Sequence, residues 1–315
     1  MTNPVPARLR RGLDRAASAS AEQAVASGFV AGWRVVRWLP EPQGRRLFRV
    51  AAERIYRLDG RGVRRLRSNL HRVLPELSDT DLEPLVHRAV RSYFGYWCES
   101  FRLPSWPSED LVSRVRTVHE ERLRAPYAEG RGVIMPLPHQ ANWDWAGAWA
   151  SATGIPVTTV AERLHPERLY DEFVDYRAKL GIRILPLTGG QPPLPVLEEA
   201  LRGGAFVPLL ADRDLSRNGV EVTLCGHRSR MPPGPALLAQ QTGAALVPLT
   251  LAYVGDEQRP DLELSFAEEV VVGPGPDGVA RAMQQVADVF STGLRAHPAD
   301  WHMMQTVFSD DVAPR

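Results

Sequence analysis

The chain is poor in the residues that build cross-links, export signals and membrane spans. It has only two cysteines, Cys98 and Cys225, too few for a disulfide framework or a four-thiolate zinc site. Its apolar runs, such as 244–254, fall well short of the ~20 residues that cross a bilayer. The first thirty residues contain Asp14 and Glu22 and lack the continuous apolar core of a signal peptide. We therefore expect a cytosolic chain without a membrane span.

Several catalytic signatures are also missing. No Gly-x-Ser-x-Gly occurs, which argues against a serine nucleophile and a covalent acyl-enzyme. No glycine pattern of the nucleotide-binding kinds stands at a strand-to-helix turn. The histidines His165, His227, His297 and His302 do not have zinc-ligand spacing with the two cysteines. We expect neither a metal nor a bound cofactor.

The charge of the chain is unevenly distributed, although the total is only +1. Residues 1–105 contain nineteen arginines against ten acidic residues, a net charge of +9, and the remainder carries −8. A basic first third suits an anionic membrane surface or nucleic acid, and charge alone does not separate these partners. A non-catalytic basic module that binds lipid or nucleic acid is therefore one hypothesis.

The first third of the chain has helical periodicity throughout. Apolar residues recur at helical spacing over 21–39, 47–58, 63–74 and 82–103. The segment 21–39, with Arg37 and Trp38 near its end, is either an interfacial membrane helix or an ordinary helical layer packed on the next domain. We predict a basic helical region over 1–105.

The second predicted domain, 106–315, alternates short apolar runs with amphipathic helices. The predicted strands are 133–137, 157–160, 182–187, 206–211, 245–252 and 262–266, and the predicted helices are 142–152, 167–180, 194–202, 235–242 and 279–294. This alternation is the signature of an α/β fold with a mostly parallel central sheet flanked by helices. Functional side chains then gather at the carboxyl ends of the strands.

His139 directly follows the predicted strand 133–137, and four residues separate it from Asp144. If Asn142 caps the next helix, the Asp144 carboxylate can turn back and orient a ring nitrogen, which makes the imidazole a general base. The alternative is that Asp144 only complements the helix dipole and that His139 is an ordinary loop histidine.

Asp212 and Asp214 follow the predicted strand 206–211 and lie on one face if the chain stays extended. Such a pair can hold a divalent metal, as in sugar-nucleotide glycosyltransferases, or orient a catalytic base, or belong to a turn. The intervening Arg213 makes a metal cage less attractive. A metal-dependent glycosyltransferase that uses both aspartates is an alternative hypothesis.

Arg177 lies at the edge of the apolar stripe of predicted helix 167–180, four residues after Phe173. An unpaired guanidinium is costly to bury, so a carboxylate or a ligand phosphate is the expected partner. The alternative is that its stem covers apolar surface while its head reaches water.

Short blocks of sequence between residues 136 and 303 occur in a specific order. They are PLPH at 136–139, NWD at 142–144, TVAERL at 159–164, YR at 176–177, LG at 180–181, LPLTGG at 185–190, ADRDL at 211–215, GVEV at 219–222, MP at 231–232, GPA at 234–236 and HPADWHM at 297–303. Together they resemble the HxxxxD glycerophosphate and lysophospholipid acyltransferases, and more closely the branch that contains the lipid A acyltransferases. Within that branch they are most similar to the mycobacterial phosphatidylinositol mannoside acyltransferases. HxxxxD alone is a weak pattern, but the blocks together in this order are highly specific, and the likeness extends from about residue 25 to 305.

The resemblance implies a glycerophosphate-acyltransferase-like fold and a peripheral enzyme on the cytoplasmic face of the plasma membrane. Such an enzyme moves a fatty acyl group, usually palmitoyl, from acyl-CoA to the 6-hydroxyl of the 2-linked mannose of phosphatidylinositol mono- or dimannoside. Acyl-CoA is then a co-substrate rather than a cofactor, and the anionic membrane surface is a partner. Nucleic acid is not, and a monomer is expected. Another lysophospholipid or lipid A-type acyltransferase is an alternative.

The resemblance also implies roles for single residues. His139 is the general base, Asp144 is the acidic partner of its motif, and Asp212 stands where relatives commonly have a Glu that meets the histidine. Which of the two aspartates orients the imidazole stays open. The implied substrate-binding residues are Glu162, Arg163, Arg177 and Asp214, with Glu162 an ionic partner for Arg177.

Overall fold

The computed structural model describes residues 32–33, 35–163, 167–187, 189, 192–214, 218–256 and 258–309. Most of the predicted helix 21–39 lies outside these residues, and the described positions 32–33 and 35–38 are helical. Over the described ranges, no helix combines the length and hydropathy needed to cross a bilayer.

The described N-terminal part is helical, as predicted. Its helices are α1 (Glu41–Leu58), α2 (Arg61–Val73) and α3 (Asp79–Arg102). Ser78 caps α3 by accepting a hydrogen bond from the backbone N–H of Asp81. The three helices share one apolar core, to which Ala52, Leu66 and Val86 belong. Burial of this common face holds the helices together.

The rest of the described chain alternates strands and helices. The strands are β1 (Val115–Val118), β2 (Val133–Leu137), β3 (Val157–Ala161), β4 (Ile182–Pro186), β5 (Phe206–Leu210), β6 (Val220–Leu224), β7 (His227–Met231), β8 (Ala245–Leu246), β9 (Leu249–Val254) and β10 (Asp261–Phe266). The helices are α4 (Ser108–Ser113), α5 (Glu121–Ala128), α6 (Trp143–Ala152), α7 (Glu167–Lys179), α8 (Pro193–Arg202), α9 (Gly234–Thr242) and α10 (Gly275–Ala296).

The central sheet is parallel, with the strand order β4-β3-β5-β2-β8 among the described residues. Alternate residues of β2 enter different cores: Val133 and Met135 pack with α6 and α7, whereas Ile134 packs with α8, α9 and α10. Helices therefore cover both faces, which confirms the predicted α/β fold. All five strands point their carboxyl ends to the same edge of the sheet.

The structure differs from the predicted elements in several places, and helices α4 and α5 are among the elements that were not predicted. The predicted strand 245–252 is two strands, β8 and β9, interrupted at Pro248, whose ring nitrogen cannot donate to a ladder. Strand β9 instead joins β10 and β1 in a second sheet, of which β1 was not predicted. The β6–β7 hairpin was also missed; its turn residues Cys225 and Gly226 have φ of 52° and 86°, as tight hairpin turns require.

Gly132 immediately precedes β2 and has φ +73°; a Cβ there would meet the carbonyl oxygen of Leu201 at 2.4 Å. Gly130 has nearly the same φ, +71°, but open space around it. Gly130→Ala should cost roughly 1–2 kcal/mol of unfolding free energy, from the left-handed backbone alone. Gly132→Ala should cost clearly more, because the clash adds to the same strain. Chemical denaturation of the two variants checks this, and equal losses would contradict it.

Candidate active site

His139 follows the carboxyl end of β2 on a tight turn. The backbone N–H of Ala141 donates to the carbonyl of Asp300 at 2.8 Å, and Ala141 has φ +48°, a left-handed conformation that is uncommon for a residue with a side chain. As predicted, Asn142 caps α6, by accepting the backbone N–H of Trp145 at 2.9 Å. The turn therefore fixes the imidazole beside the amino end of α6.

The carboxylate of Asp212 holds the imidazole of His139. Nδ1 of His139 lies 2.6 Å from Oδ1 of Asp212, and the backbone N–H of His139 donates to Oδ2 at 2.9 Å. The indole N–H of Trp301 also donates to Oδ2, at 2.9 Å. Asp212 comes two residues after the end of β5, the neighbour of β2 in the sheet, so adjacent strand ends bring the acid to the base.

The environment of Asp212 keeps it ionised. Burial raises the pKa of this carboxyl, but the charge and hydrogen bonds of His139, and the Trp301 donor, outweigh burial and leave the pKa below its ordinary value. An ionised acid accepts the Nδ1–H of His139, so Nε2 is left as the nitrogen with a free lone pair. The pair has the arrangement of an oriented general base.

Asp144 contacts a different partner. Nε of Arg177 lies 2.7 Å from its Oδ1, Nη2 of Arg177 lies 3.4 Å from its Oδ2, and the hydroxyl of Tyr96 donates to Oδ2 at 3.1 Å. Asp144 sits in the first turn of α6 and faces α7. Its carboxylate supplies the counter-charge that the Arg177 guanidinium requires away from water. The acid that orients the imidazole is thus Asp212, and the partner of Arg177 is Asp144 rather than Glu162.

The Arg177–Asp144 pair is an ion pair of the interior. Burial lowers the pKa of the Arg177 guanidinium, and the adjacent Asp144 more than offsets this, so that the pKa lies above its ordinary value. Arg177 also lies over the ring of Phe173, 5.8 Å from its centroid. The pair ties α6 to α7 at the edge of the site.

The remaining predicted binding residues are placed differently from one another. Glu162 follows β3 and lines the cavity at His139. Arg163 binds Glu167, with Nε 3.0 Å from each carboxylate oxygen, and donates to the carbonyl of Gly189 at 2.7 Å. Asp214 accepts the backbone N–H of Gly219 at 2.9 Å. The structure therefore puts Glu162 at the cavity, and Arg163 and Asp214 into the loops beside it.

The two aspartates after β5 do not share a ligand cage. Asp212 uses its oxygens for His139 and Trp301, and Asp214 uses one for Gly219. Within the part of the chain that the structure describes, no group of three or more His, Cys, Asp and Glu side chains is placed to hold a metal ion. The geometry thus gives the metal-dependent glycosyltransferase hypothesis no support.

A cavity of about 430 Å³ begins at this site. Its polar lining near the strand ends includes His139, Glu162, Arg177, Arg213 and His302. Its apolar lining includes Met135, Val157 and Phe206 from the central sheet, Trp149 from α6, and Leu264 and Phe266 from β10. Since Val157 and Phe206 begin their strands, the cavity runs along the sheet into the apolar core. It suits an extended apolar ligand with its reactive end at His139.

Sequence reasoning assigned no role to Trp301 or to Arg213. Trp301 contacts Asp212 although 89 residues separate them, and it forms an isolated bridge with Gln140. The backbone N–H of His302 donates to the carbonyl of His139 at 2.8 Å, which brings the block 297–303 to the site. Contacts between residues so far apart in sequence leave no periodic pattern in the chain. The HPADWHM block, to whose tryptophan no role was assigned, was the one sequence feature that pointed to them.

A family model described as bacterial lipid A biosynthesis acyltransferase matches residues 17–309. The chain belongs to this family. Membership in the lipid A acyltransferase family confirms the resemblance seen in the sequence and makes the chain an acyltransferase by class. An acyltransferase activity also fits a site that has an oriented base and an apolar cavity.

Two curated relatives are similar to the chain over most of their length. The chain is 40% identical over 291 residues to the phosphatidylinositol mannoside acyltransferase of Mycolicibacterium smegmatis, covering 91% of this chain and 92% of the relative. It is 42% identical over 292 residues to the protein of the same name from Mycobacterium tuberculosis, covering 90% and 89%.

The buried ion pair gives a stability prediction. Asp144→Asn and Arg177→Met should each lower the free energy of unfolding by about 3–5 kcal/mol, because each leaves one charge buried without its partner. The double variant should lose less than the sum of the two. Glu167→Gln, which breaks the exposed pair with Arg163, is the control and should change little. Denaturant titrations measure all four, and strictly additive losses would contradict the pairing.

Proposed function

We propose that the chain transfers a fatty acyl group, palmitoyl in the first place, from acyl-CoA to the 6-hydroxyl of the 2-linked mannose of phosphatidylinositol mono- or dimannoside. The observation that carries the proposal is the His139–Asp212 pair at the head of an apolar cavity. The names of the mycobacterial relatives support the mannosylated acceptor.

The imidazole of His139 performs the proton transfers. Nε2 accepts the proton of the acceptor hydroxyl while the hydroxyl oxygen forms a bond to the thioester carbon. The tetrahedral intermediate then collapses, the carbon–sulfur bond breaks, and the imidazolium returns its proton to the departing thiolate. The carboxylate of Asp212 stabilises the transient imidazolium without taking its proton.

The cavity favours transfer of the acyl group to the lipid acceptor over its transfer to water. Its apolar lining holds the alkyl chain of the donor and keeps water from the thioester, which favours transfer over hydrolysis.

Negative charge develops on the thioester oxygen during attack and needs a hydrogen-bond donor nearby. Arg213 follows Asp212 directly and lines the same cavity, so its guanidinium is our candidate for that role.

The outer face of α1, together with the helical residues 35–38 that precede it, fits a membrane surface, where a lipid acceptor resides. The exposed large apolar side chains of this region are Val35, Trp38, Leu47, Val50, Ile55 and Leu58, and exposed arginines beside them are Arg46, Arg49, Arg54 and Arg57. Leu47, Val50 and Leu58 recur at helical spacing, and Trp38 is 91% exposed. Apolar insertion together with arginines, at about 1 kcal/mol each near anionic lipid, is the physics of interfacial binding. We infer that this face docks on the cytoplasmic leaflet of the plasma membrane.

The proposed reaction is tested by incubating the purified protein with palmitoyl-CoA and mannosylated phosphatidylinositol. Free CoA and acylated lipid should appear together. His139→Ala should lower kcat by roughly 10²–10⁴-fold because the base is lost, and it should remain folded with a lower unfolding midpoint, because Asp212 loses one of its donors. Asp212→Asn should lower kcat in the same direction, and Asp288→Asn, an exposed change on α10, should not. Near-wild-type turnover by His139→Ala would remove the proposed base, and no turnover by folded wild type would remove the function.

The membrane face is tested by flotation with anionic vesicles. A variant with Trp38, Leu47 and Val50 changed to serine should bind vesicles much more weakly at every salt concentration, because apolar insertion is lost. A variant with Arg46, Arg54 and Arg57 changed to glutamine should bind weakly at low salt and show a smaller salt dependence. Wild-type flotation by both variants would rule out this face.

A further inference from the structure

The indole of Trp301 contacts the acid of the site, and the proton transfers proposed above give it no part. Trp301 is fully buried, and its indole N–H donates to Oδ2 of Asp212 at 2.9 Å. The backbone N–H of His139 donates to the same oxygen at 2.9 Å, while Oδ1 lies 2.6 Å from Nδ1 of His139. Two donors on Oδ2 restrict the rotation of the carboxylate, so that Oδ1 stays directed at the imidazole.

The indole is carried by the backbone segment 300–302, which runs beside the turn of the base. Trp301 forms an antiparallel bridge with Gln140, the residue after His139. The backbone N–H of His302 donates to the carbonyl of His139 at 2.8 Å. The same backbone pairing therefore holds both the imidazole and the indole that faces its acid.

The buried carboxylate of Asp300 anchors this segment to two other elements. Its Oδ1 accepts the hydroxyl of Ser92, on α3, and its Oδ2 accepts the backbone N–H of Tyr253, on β9, both at 2.9 Å. The ring of Trp301 packs edge-on against Phe308, with centroids 6.3 Å apart. The indole N–H is thus a donor in a fixed position, supported from several sides.

The indole hydrogen bond also favours the charged form of Asp212. Burial raises the pKa of this carboxyl, whereas the charge and hydrogen bonds of His139 and the hydrogen bond of Trp301 lower it. The proposed reaction needs an acid that stays ionised and aimed at Nδ1 while Nε2 gains and loses a proton. Trp301 contributes to both conditions.

We propose that Trp301 is a positioning residue for acyl transfer: its indole N–H holds the Asp212 carboxylate in the orientation that keeps Nε2 of His139 directed at the acceptor hydroxyl. This role rests on the proposed function. Because Trp301 is fully buried, it acts through Asp212 and does not itself contact substrate. Its loss should therefore affect kcat, through orientation of the base, and not KM.

A double-mutant cycle separates this role from packing. Trp301→Phe removes the N–H and keeps an aromatic ring. It should lower kcat roughly tenfold, as expected for a lost hydrogen bond to a charged group, with the KM values for palmitoyl-CoA and mannosylated phosphatidylinositol within about twofold of wild type. In an Asp212→Asn background the same change should alter kcat by less than about twofold, because no carboxylate remains to be aimed. An equal loss of kcat in both backgrounds would overturn the proposal.

Trp145→Phe is the matched control. Trp145 is also fully buried, and its indole N–H donates to the carbonyl of Leu111, on α4, at 3.0 Å. This variant loses the same kind of hydrogen bond away from Asp212, so its kcat should stay within about twofold of wild type. A tenfold loss in Trp145→Phe as well would assign the effect to any lost indole hydrogen bond and would refute a special role for Trp301.

A spectroscopic measurement on the wild-type chain needs neither turnover nor a folded Trp301 variant. In ¹H–¹⁵N spectra recorded over a pH series, the indole resonance of Trp301 should shift as His139 takes up a proton, because both groups donate to the Asp212 carboxylate. In His139→Ala the resonance should not shift over the same pH range. A Trp301 resonance that ignores the protonation of His139 in wild type would rule out this role, whereas absence of turnover by folded wild type would refute the proposed function.

Discussion

The site depends on the complete burial of one charged carboxylate, that of Asp212. An ionised acid in the interior is stable only if donors surround it, and here these are the ring and the backbone N–H of His139 and the indole of Trp301. These donors come from the end of β2 and from the segment after α10. The order of β2 and β5 in the sheet and the position of the segment after α10 are thus both constrained, because Asp212 needs hydrogen-bond donors from each.

A second buried acid, Glu99, links the helical N-terminal region to the same site. Its carboxylate accepts from the amide of Asn142 at 3.1 Å and from the hydroxyl of Tyr253 at 2.7 Å, and it pairs with Arg45 at 3.2 Å. Asn142 is the cap that ends the turn of His139, and Arg45 lies on the inner side of α1. The helix whose outer face we assign to the membrane is therefore connected, through one ion pair and one hydrogen bond to Glu99, to the turn that holds the base.

Much of the fold followed from periodicity, and the parts that did not have physical reasons. Strands such as β2 and helices such as α6 were predicted to within a residue or two, because their apolar pattern is set by local burial. The split of the predicted strand 245–252 depends on Pro248 and on pairing with β10, a partner that pattern alone does not reveal. The position of His139 at a strand end followed from fold class, but the contact of Trp301 with Asp212 is a tertiary event without a local signal.

The two aspartates show why sequence left the choice of orienting acid open. Asp144 is close to His139 along the chain, but it begins a helix, and its carboxylate is drawn to the buried charge of Arg177. Asp212 is distant along the chain, yet β5 and β2 are hydrogen-bonded neighbours, so their ends lie side by side. The family resemblance implied a longer Glu at this position. Asp suffices because the strand ends bring its carboxylate within 2.9 Å of the backbone N–H of His139, and the remaining oxygen then reaches Nδ1 without a longer side chain.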